Sequence, residues 1–106
     1  MIVKGTTANG FNYEYDNSIF GDWEIMDWLT EMLELQEIPD EERTIEENTL
    51  LMRDMYAIIR KVFTRSQIAS WKNVNKDEGG NIIAERMWED FREMFFQSED
   101  KDTKNS

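Results

Sequence analysis

The side chains of this sequence that could do chemistry are almost all carboxylates. Its 106 residues include 23 Asp and Glu against 12 Lys and Arg, with no His and no Cys. Without His, the usual general base near neutral pH and the commonest imidazole ligand are absent. Without Cys there is no thiolate nucleophile, disulfide or cysteine-bound zinc. The composition therefore excludes serine triads and HExxH metalloproteases.

Adjacent carboxylates are the remaining candidates for acid–base catalysis. Glu41 and Glu42 form one such pair, and Glu89 and Asp90 form another. We expect both pairs on solvated linkers or polar helix faces, where carboxylates are poor catalysts near neutrality. The sequence therefore predicts a protein that is not an enzyme and has no catalytic residues and no cofactor.

The loop NKDEGGN, which begins at Asn75, is the one candidate for a calcium site. Gly80 and Ile82 suit the glycine and the apolar position of an EF-hand frame. Gly79, however, has no side-chain oxygen to offer at a ligand position, and Arg86 stands where a bidentate Glu is required. We predict a turn that connects two helices and holds no metal.

Length and composition favour one globular domain, residues 1–96, followed by a flexible polar tail, residues 97–106. Apolar residues make up 40% of the chain, which is too many for a wholly disordered protein. No segment approaches the ~20 apolar residues that cross a bilayer, and no secretory signal is apparent. We expect a soluble cytoplasmic protein whose charge of −11 opposes binding to nucleic acid or an anionic membrane.

The secondary structure that the sequence predicts is mainly helical. Aromatic and polar residues alternate from Phe11 to Tyr15, which predicts a strand, with Ile2 and Val3 in its partner and a turn over Thr6–Gly10. We predict a mainly α (α+β) fold, with this short N-terminal hairpin packed on a three- to four-helix domain. The predicted helices run from Trp23 to Gln36, Ile45 to Phe63, Thr64 to Val74 and Ile82 to Phe96.

Capping residues support these helix starts. Asp22 precedes the first helix, Thr44 and Glu47 form a capping box before the second, and Asn81 is a candidate cap for the last. The face of the first helix that we expect to be buried comprises Ile25, Met26, Leu29, Met32 and Leu33.

Some apolar residues lie outside the predicted core stripes, and a small domain cannot easily bury all of them. They are Trp23, Trp28, Leu35, Leu50, Ile82 and Phe96. Surplus apolar surface of this kind, together with seven Met and 13 aromatic residues, is typical of proteins that bind helical partners.

Charge is unevenly distributed along the chain. Residues 34–47 contain seven acids and one Arg, whereas residues 53–76 contain six bases and one Asp. Two solvated faces would explain this pattern. A second hypothesis is that the acidic edge of one protomer meets the basic edge of the next in a homo-oligomer.

The order of these features resembles the tail assembly chaperones of long-tailed (siphovirus-type) bacteriophages and prophages of Gram-positive bacteria. The resemblance covers about residues 10–106. An aromatic strand and a turn lead into an acidic helix, a central helix, a glycine-containing loop and a last helix. The segments are GFNYEYD, SIFGDWE, EIMDWLTEMLEL, LLMRDMYAIIRKVF, NKDEGGN and AERMWEDFREMFF.

The resemblance implies a non-catalytic protein that oligomerises and coats the tape measure protein during tail assembly. It also implies a longer, frameshifted form that recruits the tail tube protein, and absence from the mature virion. We predict that four side chains contact the client or neighbouring protomers. These are Trp28, Leu35, Trp88 and Phe96.

Two other functions remain open on the sequence. A small acidic protein can mimic DNA and inhibit a host nuclease or defence enzyme, although the basic segment over residues 53–76 argues against a continuous negative face. A regulatory adaptor is the third possibility.

Overall fold

The structure, a computed structural model, describes residues 1–96. Four α-helices and a two-stranded antiparallel hairpin form its regular structure, which confirms the predicted mainly α fold class. The predicted tail, residues 97–106, lies outside the described residues. The elements are β1 (Ile2–Thr6), β2 (Asn12–Asp16), α1 (Trp23–Gln36), α2 (Ile45–Val62), α3 (Arg65–Val74) and α4 (Ala84–Phe95).

The chain divides into two compact units. The helical unit consists of Met1 and Asp16–Thr64, and the hairpin unit consists of Ile2–Tyr15 and, among the described residues, 65–96. The single domain expected over residues 1–96 stays a prediction. Within the described residues, no helix has both the length and the apolar composition needed to span a membrane.

Two predicted caps begin the long helices of the helical unit. The Asp22 carboxylate accepts a hydrogen bond from the Ile25 amide at the start of α1. At the start of α2, Thr44 and Glu47 form the predicted capping box, each side chain accepting from the other residue's amide. These bonds satisfy amides that a helix N-terminus otherwise leaves without partners.

A lysine joins the two helices at one end of the helical unit. Lys61, in the last turn of α2, lies 3.0 Å from the Asp22 carboxylate and 2.7 Å from that of Glu24. Its ammonium group also lies 5.8 Å from the centre of the Trp28 ring. The C-terminal end of α2 is therefore held beside the N-terminal end of α1.

The buried face of α1 differs from the prediction. Ile25, Leu29 and Met32 are buried as expected, but Met26 and Leu33 are 41% and 51% exposed. Leu35, which was predicted to lie on the flank, is buried instead. The apolar face of α1 is wider than the face that is buried. The spacing of apolar residues alone does not show which edge of the apolar face packs against the core.

The last helix begins two residues later than predicted, and Asn81 does not cap it. Ile82 pairs with Lys76 in an isolated antiparallel bridge, and the N-cap of α4 is Ile83, which makes no side-chain capping bond. Asn81 instead pairs with Asp77 across the loop. The Asp77 amide donates to the Asn81 carbonyl, and the Asn81 amide donates to the Asp77 side chain. The chain from Asn75 to Ile83 thus forms a small closed turn before α4 starts.

The hairpin unit is organised around the buried carboxylate of Asp90 on α4. One oxygen accepts from the Asn9 amide group at 2.8 Å, and the other accepts from Trp71 Nε1 and Asn75 Nδ2, both at 2.9 Å. Asp90, Trp71 and Asn75 have no exposed surface. The carboxylate therefore links the hairpin loop, α3 and the segment after α3 to α4.

The hairpin turn has a glycine where the backbone requires one. Gly10 has φ of 99°, in the left-handed region that other residues avoid. Its amide donates to the Thr7 carbonyl, and the Thr7 hydroxyl accepts from the Phe11 amide. This turn presents the neighbouring Asn9 to Asp90.

Replacement of Asp90 by Ala should destabilise the protein by at least about 3 kcal/mol, because three N–H donors, two of them on buried side chains, would lose their acceptor. Urea unfolding followed by circular dichroism measures this loss. Glu89→Ala, at the exposed neighbouring position, is the control and should stay within about 0.5 kcal/mol of wild type. A loss below about 1 kcal/mol for Asp90→Ala would contradict the proposed role of this carboxylate.

Candidate protein-binding surface

Large apolar side chains are strongly exposed in the helical unit. Trp23 is 84% exposed and Ile45 is 85% exposed, and Leu33 and Met26 follow at 51% and 41%. Trp23, Met26 and Leu33 are all on α1, and Ile45 is the first residue of α2. Such groups are costly to hydrate, so their concentration on one unit makes it the candidate site for binding another protein.

Three of these residues, together with Thr30, form a continuous strip along α1. They recur at intervals of three and four residues, which places them on one face of the helix. The four residues are Trp23, Met26, Thr30 and Leu33. We call these four residues the α1 stripe. The Thr30 hydroxyl donates to the Met26 carbonyl at 2.7 Å, so the polar atom in the middle of the stripe already has a partner.

A shallow groove of about 130 Å³ lies at the N-terminal end of this stripe. It is lined by Trp23, Met26, Asp27 and Thr30. Both apolar and anionic groups therefore face the same depression. An apolar side chain with a positive charge beside it would find complementary surface there.

Acidic residues border the α1 stripe. Asp27 and Glu34 are exposed, are seven residues apart, and by helical spacing lie along the solvent-facing edge of the stripe. Within residues 1–96, neither carboxylate has a salt-bridge partner, whereas Asp22 and Glu24 are paired with Lys61. Asp27 and Glu34 are therefore the carboxylates of α1 best placed to receive a positive charge from outside.

The helical unit carries most of the negative charge of the chain. It contains 13 of the 23 acidic residues and only four basic ones, a side-chain charge of −9. The acidic segment, residues 34–47, lies wholly in this unit, while the basic segment, residues 53–76, is divided between the two units. The hypothesis that these two segments meet between protomers stays a prediction.

Two of the four predicted partner-binding residues lie in the helical unit, on α1. Trp28 is half-buried, with Lys61 beside its ring. Leu35 is only 9% exposed, so its side chain offers little surface to a partner. Neither belongs to the α1 stripe.

The other two predicted residues, Trp88 and Phe96, surround Phe91 in the hairpin unit. The Trp88 ring stacks on Phe91 with centroids 5.9 Å apart, and Phe96 meets it edge-on at 5.7 Å. Both are half-buried. They extend the aromatic core of α4 to its surface, and the structure does not bring them together with Trp28 and Leu35 in one unit. Partner binding by all four stays a prediction.

Sequence reasoning missed most of the exposed apolar surface that the structure shows. The apolar spacing leaves Trp23 outside the predicted core, but it predicts Met26 and Leu33 in the buried face of α1. Ile45 is predicted only as the first residue of a helix. The available signal was the width of the apolar part of α1, which exceeds what one packing face covers.

The glycine-containing loop is closed by its own hydrogen bonds. The Asp77 side chain accepts from the Asn81 amide at 2.9 Å, and this backbone hydrogen bond lowers the pKa of Asp77. Gly80 adopts a φ of 83°, which suits the turn. Within residues 1–96, no cluster of three or more acidic side chains is arranged to hold a metal ion.

Asp54 is a buried acid on α2 in the helical unit, and no pattern in the sequence predicts its burial. It is 4% exposed, and its Oδ2 atom has no hydrogen-bond partner among the described residues. Burial raises the pKa of Asp54 to about 7. A hydrogen bond to Glu31 and the charges of Glu31 and Asp27 add to this effect, and Arg53 opposes it.

Comparison of this chain with protein-family models, with curated proteins and with solved structures found no match in any of the three.

Asp54 should make stability depend on pH. Because its pKa is raised in the folded protein, the folded state holds the proton more tightly, and stability should fall as pH rises from about 4 to about 7. One proton contributes at most about 1.4 kcal/mol per pH unit. Asp54→Asn mimics the protonated form, so this variant should be more stable than wild type at pH 8 and lose this pH dependence.

Urea unfolding at several pH values tests this expectation. Glu41→Gln neutralises an exposed linker carboxylate and is the matched control, whose stability should vary with pH as in wild type. Parallel pH profiles for Asp54→Asn and wild type would show that Asp54 is ionised in the folded protein.

Proposed function

We propose that this chain is a tail assembly chaperone of a long-tailed bacteriophage or prophage, which oligomerises and coats the tape measure protein during tail assembly. The observation that carries the proposal is the exposed apolar surface of the helical unit, with Trp23 and Ile45 each more than 80% exposed. A chaperone needs such a surface permanently available, because it must bind apolar segments of its client before they aggregate.

The charge of the helical unit supports the same function. Exposed apolar side chains favour nonspecific association, whereas a net charge of −9 on the same unit opposes it. A protein with this surface can remain dissolved while its binding face is empty. This combination suits a protein that acts in the host cytoplasm and is absent from the finished virion.

The proposed activity is binding alone. Its partners are the tape measure protein, further copies of the chain and the tail tube protein through a longer form.

Co-expression with the tape measure protein encoded in the same gene cluster tests the proposal. The tape measure protein should move from the insoluble to the soluble fraction and co-purify with this chain, because its apolar helical segments would be covered. The paired variant Trp23→Ala/Leu33→Ala should reduce this solubilisation. A tape measure protein that stays insoluble and does not co-purify would contradict the proposal.

Expression of the native gene with its downstream DNA tests the predicted longer form. With a tag at the N-terminus, a blot and mass spectrometry should detect a minor, longer product that begins with this chain and continues in another reading frame. A single product of the encoded length would contradict this part of the proposal.

A DNA-mimic inhibitor is the second candidate, and the charge of −9 on the helical unit favours it. Such a protein would compete with DNA for a host nuclease, and added salt would reverse the competition. The apolar α1 stripe is unlike a phosphate backbone and favours the chaperone. Salt-reversible competition with DNA, without solubilisation of the tape measure protein, would select the inhibitor instead.

A further inference from the structure

The surface that borders the α1 stripe contains information about the chemistry of its partner. An apolar face alone accepts many partners, but Asp27 and Glu34 add negative charge along one edge. Neither carboxylate has a salt-bridge partner within residues 1–96. A partner that brings positive charge to this edge gains electrostatic complementarity, whereas an acidic partner is repelled.

We propose that the α1 stripe binds an amphipathic helix whose apolar face is flanked by Lys or Arg residues. This inference rests on the proposed function and specifies the kind of client segment that the protein recognises. Trp23 and Leu33 provide the apolar contacts at the two ends of the stripe, and Asp27 and Glu34 pair with the basic residues of the client.

The dimensions of the stripe suit a helix of about three turns. Trp23 and Leu33 are ten residues apart, which corresponds to about 15 Å along α1. Asp27 and Glu34 are separated by seven residues, about 10 Å, so two basic residues seven positions apart on the client helix match their spacing. The groove beside Trp23 accepts one apolar side chain of that helix.

Two synthetic peptides provide the direct probe. Both carry the same leucine stripe at helical spacing, but one has two Lys residues seven positions apart beside the stripe and the other has Glu at those positions. Fluorescence anisotropy with the full chain at low salt should show binding at least about ten-fold tighter for the Lys peptide. Added salt should reduce this difference.

Single-residue variants locate the binding face. Trp23→Ala should weaken binding of the Lys peptide at least about ten-fold, as expected for an aromatic anchor. Ile2→Ala is the control, because Ile2 is an exposed apolar residue on β1, outside the apolar surface of the helical unit. Both side chains are exposed, so circular dichroism should show an unchanged fold for both variants.

The acidic edge is tested separately. The double variant Asp27→Asn/Glu34→Gln should weaken binding of the Lys peptide by about three- to ten-fold, since exposed ion pairs contribute modestly to affinity. The two peptides should then bind with nearly equal affinity. The control variant Glu41→Gln/Glu42→Gln removes the same amount of charge from the linker. It should retain most of the preference for the Lys peptide over the Glu peptide.

Three results would overturn the inference. The first is equal affinity for the two peptides at low salt, and the second is an equal loss of affinity for Trp23→Ala and Ile2→Ala. The third is that Trp23→Ala abolishes self-association in sedimentation while peptide binding is unchanged, which would assign the α1 stripe to contacts between copies.

These results are separable from the test of the proposed function. If the chain prefers the Lys peptide but does not solubilise the tape measure protein, the α1 stripe is a binding face and the proposed phage function is wrong. Solubilisation of the tape measure protein without peptide discrimination would support the chaperone and reject the α1 stripe as its docking face.

Discussion

The hairpin unit depends on one buried carboxylate. Asp90 accepts hydrogen bonds from Asn9 in the hairpin loop, from Trp71 in α3 and from Asn75 directly after α3. An anion without such donors would be very costly to bury, and these donors would be costly to leave unpaired. The arrangement is therefore stable only when the hairpin loop, α3 and α4 are all in place, so it favours a single arrangement of the unit.

The helical unit is held together differently. Its long helices are connected by apolar packing and, at one end, by Lys61 between Asp22 and Glu24. Because α1 is apolar over more than the face it buries, Trp23, Met26 and Leu33 remain in solvent. This unit is thus a candidate binding surface because α1 has more apolar residues than its packing within the unit can bury.

Local signals predicted the elements well and the buried polar groups poorly. The bounds of α1, the capping box at Thr44 and the hairpin follow from short-range patterns that the structure confirms. The burial of Asp54 and Asp90 depends on residues distant in sequence, which a charge pattern does not reveal. The rotation of α1, which buries Leu35 and exposes Leu33, likewise depends on tertiary packing.

The position of Asp27 connects the surface of α1 to its interior. Asp27 lines the groove beside Trp23, and its charge also acts on the buried Asp54. A cation held beside Asp27 would oppose the smallest of the influences that raise the pKa of Asp54, so its arrival would shift Asp54 slightly toward the ionised form. By thermodynamic reciprocity, the affinity for that cation would increase slightly as pH rises through the pKa of Asp54. Binding of a cation beside Asp27 and protonation of Asp54 would then be thermodynamically coupled.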